Sequence, residues 1–86
     1  MDIHRADVLA VGSREGADVY LVVEVSWVID QEDVERARDR AILLERTGVR
    51  ALPVVAGRVM HPAVEEVARA AGVWRVLDGS VRAPAA

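Results

Sequence analysis

Asp18-Val19-Tyr20-Leu21-Val22-Val23-Glu24-Val25-Ser26-Trp27 is the most apolar run of the chain, and its reading decides how the rest is arranged. Its Val content and its aromatics at 20 and 27 mark a buried strand. Glu24 stands near its C-terminal end, where a lone ionised carboxylate is costly without a partner, water or a metal. Working back toward the N-terminus, Gly12-Ser13-Arg14-Glu15-Gly16-Ala17 is a polar, Gly-flanked turn, and residues 3–12 read as a preceding strand. The two strands make an antiparallel hairpin. A turn centred on Glu15-Gly16 places Asp7 opposite Glu24, Leu9 opposite Val22, Val11 opposite Tyr20 and Arg5 opposite Ser26. Opposed side chains have Cβ atoms roughly 4.5–5.5 Å apart, and like charges so placed repel. The Asp7–Glu24 pair therefore calls for something cationic: a divalent ion, a shared proton or an arginine. The other face of the hairpin (Val8, Ala10, Val19, Leu21, Val23, Val25) is wholly apolar, so both faces want covering by helices.

Working outward toward the C-terminus, Asp30 is an N-cap and opens a helix over 31–47 with an acidic first turn. Val34, Ala37, Ala41 and Leu44 form its apolar stripe, widened by Ile42 and Leu43. Arg36, Asp39, Arg40 and Arg46 lie outside the stripe and read as a solvated face, with Glu32–Arg36 an i,i+4 pair. A strand at 50–56 then returns parallel to the Glu24 strand through a right-handed crossover. Pro53 favours a sheet edge there, or a position whose ladder donor is not needed. His61 starts a second helix over 62–71, with Pro62 at its first position and Val64, Val67, Ala68 and Ala71 facing inward. A short strand at 73–77 follows, and 79–86 reads as a flexible tail beyond a single domain of residues 1–78.

Composition narrows the function. An 86-residue chain is one small domain, of a size that buries only about 60% of its unfolded surface. It has no Cys, hence no disulfide or thiolate site. The absence of a signal-like N-terminus or a spanning apolar run points to a soluble cytoplasmic protein without a membrane partner. A net charge of −3 argues against a generic nucleic-acid binder. All 11 basic residues are Arg and none is Lys, so no step needing a lysine ammonium operates here. His4 and His61 have no Cys or His at ligand spacing. Trp27 and Trp74 read as core and edge packing. Gly12 and Gly16 join two strands, which is turn chemistry and not a phosphate loop.

Ala6-Asp7 on one strand, then Glu24-Val25-Ser26 at the end of the next, then a helix and Leu52-Pro53-Val54-Val55-Ala56-Gly57, is similar to the PD-(D/E)XK restriction-endonuclease-like core. The resemblance covers roughly residues 3–77 and implies an α/β domain truncated at its N-terminus, without the family's first helix and strand. In active members it implies Mg²⁺ or Mn²⁺ held by Asp7, Glu24 and the Val25 carbonyl, activating water against a phosphodiester. Ser26 stands where the family's Lys would be. Arg5, opposite Ser26, is the nearby cationic substitute, able to stabilise charge but a poor general base. The alternative for Asp7 and Glu24 is a structural role, satisfied by Arg5, Arg50 or backbone donors. The expectation is a degenerate, non-cleaving member acting as an interaction or assembly module. Its open first strand and uncovered apolar face point to a homo-oligomer. The rival is a Mg²⁺- or Mn²⁺-dependent DNA endonuclease that has dispensed with Lys.

Overall fold

A computed structural model describes residues 5–84, and of residues 5–7 the backbone only. His4 and the side chains of Arg5 and Asp7 lie outside the described residues. The chain is α/β: a mixed sheet of five strands with two helices. Strands β1 (Arg5–Arg14) and β2 (Ala17–Ser26) form the antiparallel hairpin. They close on a two-residue turn in which Glu15 (φ 55°) and Gly16 (φ 79°) are both left-handed. That is the backbone of a type I′ turn, whose twist matches the flanking strands. Toward the turn β1 runs two residues and β2 one residue further than the sequence suggests, because only Glu15 and Gly16 are needed to reverse the chain. The register is the expected one, with Asp7 opposite Glu24 and Arg5 opposite Ser26.

A two-residue strand, β3 (Val28–Ile29), leads into α1 (Gln31–Glu45). Asp30 and Asp33 exchange backbone-to-carboxylate hydrogen bonds of 2.9 and 3.0 Å, a reciprocal cap that satisfies two orphan N–H groups. Strand β4 (Ala51–Gly57) runs parallel to β2. After β5 (Val59–Met60), which pairs with β3, comes α2 (Pro62–Ala70), capped by His61 Nδ1 accepting from the Ala63 N–H at 3.1 Å. Strand β6 (Trp74–Leu77) lies parallel to β4. The main sheet has the order β1-β2-β4-β6-β7.

Three expectations need correction. Residues 80–82 are not tail: β7 (Ser80–Arg82) pairs antiparallel with β6 through a turn whose Asp78 and Gly79 are left-handed. Of the two places expected for Pro53, the edge is wrong, since β4 is central, and the position whose ladder donor is not needed is the one found. The Arg50 carbonyl accepts from the Tyr20 N–H, so even residues of β4 turn their backbone to β2 and Pro53 turns toward β6. Pairing with β6 begins only at Val54, so the missing N–H of Pro53 breaks no ladder bond. Third, helices do not flank both faces. Both crossovers step the same way along the sheet, and α1 and α2 pack on each other and share one core cluster, so both helices lie on one side. There α1 packs on β2, β4 and α2, and α2 packs on β6.

The core lies between that side and the helices. Ile29, Val34, Ala37, Val55, Ala68 and Val73 form the main cluster, and Val22, Ala41 and Ala51 a second. Ile42 and Leu43, read as widening the α1 stripe, are instead 41% and 57% exposed. Gly57 marks the closest backbone approach. A Cβ there would overlap the Ser26 carbonyl oxygen and stand 2.9 Å from Ile29 Cγ1.

Candidate functional site

The site is built around Glu24, which has no exposed surface. Strand alternation turns Tyr20, Val22, Glu24 and Ser26 toward the helices, so the carboxylate lies under α1. Two arginines one helical turn apart reach it. Arg36 Nε donates to Glu24 Oε1 at 3.0 Å, and Arg40 Nη1 donates to Oε2. Arg36 also donates through Nη2 to Asp33 and lies 3.6 Å from Glu32. Its guanidinium is held above its ordinary pKa, first by the hydrogen bond to Glu24 and further by Asp33, against the opposing effect of burial. Asp33, fully buried as well, thus serves both the helix cap and the ion-pair network.

Arg36 and Arg40 were expected in solvent. Their i,i+4 spacing beside Ala37 and Ala41 was the available signal, since short side chains let a helix sit close to a sheet and long flanking ones reach down. Arg5 and Arg50 are the arginine partners that the sequence suggests. The side chain of Arg5 lies outside the described residues, and Arg50 is exposed. Ser26 is buried, and its hydroxyl donates to the Val28 carbonyl at 2.9 Å. Because even residues of β2 turn their backbone to β4, Val25 turns its own toward Ala6, and its carbonyl belongs to the β1–β2 ladder. The backbone pairing of Asp7 with Glu24 is consequently of the non-hydrogen-bonded kind.

Among the described residues, Glu24 and Val25 do not offer donors that fit a divalent cation. Two guanidinium groups occupy the Glu24 oxygens, the Val25 carbonyl points into the sheet, and no group of three or more His, Asp or Glu suited to a metal occurs among the described residues. Charge neutralisation at Glu24 is supplied by the protein itself.

A second feature sits at the C-terminal ends of the parallel strands. Trp27 is 57% exposed, contrary to its reading as packing, and the Arg58 guanidinium lies 4.8 Å above its ring. Trp74 faces the uncovered side of the sheet, with Arg14 6.0 Å from its ring. On α2, Glu65 accepts from both Arg75 (3.2 Å) and Arg82, tying β6 and β7 to the helix. No helix among the described residues is long and apolar enough to cross a membrane. No family model, no curated protein and no solved structure matches this chain.

Proposed function

We propose that this chain is a nuclease-like domain of the PD-(D/E)XK type that has lost cleavage and serves in the cytoplasm as an assembly module, associating with copies of itself. The observation that carries the loss of cleavage is the double arginine clasp on Glu24. A metal-dependent phosphodiesterase needs an anionic donor set facing the scissile phosphate. Here the central carboxylate is buried and already neutralised. The residue at the lysine position, Ser26, spends its proton on a backbone carbonyl. The self-assembly part is supported by the outer position of β1 in the sheet and by the uncovered apolar face. The net charge of −3 does not favour nucleic acid as the partner.

Incubation with supercoiled plasmid and with single-stranded DNA in Mg²⁺ or Mn²⁺ tests the reading. The expected outcome is no cleavage above buffer, with a melting temperature indifferent to Mn²⁺. Metal-dependent cleavage that disappears in Asp7→Asn and Glu24→Gln would overturn it and establish a Mg²⁺- or Mn²⁺-dependent DNA endonuclease working without Lys. Sedimentation at tens of micromolar tests assembly separately, and a monomer there would remove that half of the proposal.

A further inference from the structure

The side of the sheet turned away from both helices carries apolar surface that the Glu24 network does not explain, although Val19 and Val54 within it are only 2% and 8% exposed. Strand alternation places Val8 and Ala10 of β1, Val19, Leu21, Val23 and Val25 of β2, and Val81 of β7 on it. Val19, Leu21, Leu52, Val54, Trp74 and Val76 line a shallow bowl of about 440 Å³ in its middle. Val8 and Val81 at its margins are 45% and 66% exposed. Arg14, at the rim against Trp74, is the one charged residue of the bowl.

We infer that a second copy of this chain covers this face, the two bare sheets packing against each other about a two-fold axis. The inference rests on the reading of the domain as a self-assembling module and names the surface that does it. The molecule measures 35 × 33 × 22 Å, so only a contact that extends over most of its broad side reaches the ~800 Å² per partner of a standard interface. The charge distribution also suits a like molecule. Copies that each carry −3 repel wherever acidic groups meet, and this face lets them approach through an uncharged centre. A nucleic acid would need a basic rim, and a small-molecule site would need several convergent polar groups. The bowl offers Arg14 and Ser13. An isologous interface requires only that one patch be complementary to itself, which a sheet face apolar but for Arg14 and Ser13 at its rim allows, at the usual ~10 Å spacing of stacked sheets.

The test compares the double variant Val8→Glu/Val81→Glu with Leu43→Glu, a 57% exposed position on α1, by sedimentation equilibrium. The wild-type chain is expected to dimerise. The double variant should raise the dissociation constant about a hundredfold or more, because unpaired carboxylates would be buried on both sides of the axis. Leu43→Glu should leave it unchanged. A readout that adds no charge uses Trp27→Phe, in which Trp74 is the sole tryptophan. Its emission should shift to the red on dilution through the dimer–monomer transition, even if the charged variant fails to fold. A dimer whose Trp74 emission ignores dilution, or one broken by Leu43→Glu alone, overturns this inference and leaves self-assembly standing elsewhere. A wild-type monomer overturns both, including a monomer that binds an amphipathic helical peptide over Trp74.

Discussion

At the residue scale, Glu24 shows why a buried acid is ambiguous until its neighbours are placed. The apolar setting of the carboxylate, its register partner and the absence of lysine were all readable from the order of residues. The two arginines were not. They lie 12 and 16 positions away, and only the docking angle of α1 brings them to the strand. His61 was readable because its bond is local, to Ala63. Glu24→Gln keeps the shape but removes the charge that Arg36 and Arg40 were placed to meet. The arginines are 27% and 43% exposed, so they can turn partly to water. We expect a loss of about 2 kcal/mol, below the usual range for a broken buried pair. In a domain this small that is a fall in melting temperature of about 10 °C, and an unchanged or raised value would count against the clasp. An exposed pair makes a pH prediction. The hydrogen bond from Arg69, more than its charge, holds Glu66 below the ordinary carboxylate pKa. A depressed folded value means the pair's contribution is complete above about 4.5, the unfolded value, and fades as pH falls through the lower folded one. Carboxyl chemical shifts should show Glu66 titrating below ordinary glutamates, and Arg69→Ala should return it to them.

At the element scale, the hairpin, both helices and the parallel return of β4 follow from turn residues, caps and apolar spacing. The small pair β3–β5 and the strand β7 do not. Two- and three-residue strands carry no periodicity, and each exists because a neighbouring backbone is there to pair with. Gly57 sits where these pieces converge. The Asp78 N–H donates to its carbonyl at 2.9 Å, and the Ser26 carbonyl lies against its Cα. Its φ is not left-handed, so the constraint is space rather than conformation. Gly57→Ala should cost about 3 kcal/mol or more in chemical denaturation, because backbone and not a flexible side chain would have to move. Asp30→Ala should cost about 1 kcal/mol through the lost half of the reciprocal cap. If the two costs came out equal, the packing of Gly57 against β2 would not be the tight contact described.

At the scale of the whole molecule, the α/β class could be read from the strand–helix alternation, but the covering of only one face could not. That property belongs to strand order and crossover handedness together, and the order β2-β4-β6 is settled by which strands meet. The bare face and the outer side of β1 are two of the surfaces on which the proposed self-assembly can be tested, and amide exchange tells β1 from the face. Since odd residues of β2 turn their backbone to β1, the amides of Val8, Ala10 and Gly12 bond inward and those of Leu9, Val11 and Ser13 point outward. With the dimer formed through the sheet face, exchange along β1 should alternate: slow at Val8, Ala10 and Gly12, fast at Leu9, Val11 and Ser13. An edge-to-edge dimer would hydrogen-bond the outward set as well and erase the alternation. The same measurement at low and high protein concentration removes any dependence on β1's own fraying, because only the edge-to-edge arrangement slows the outward amides as the chains associate. Alternation that persists at concentrations where sedimentation finds dimer therefore excludes the β1 edge and leaves the face to the Trp74 readout, and its collapse assigns the interface to that edge.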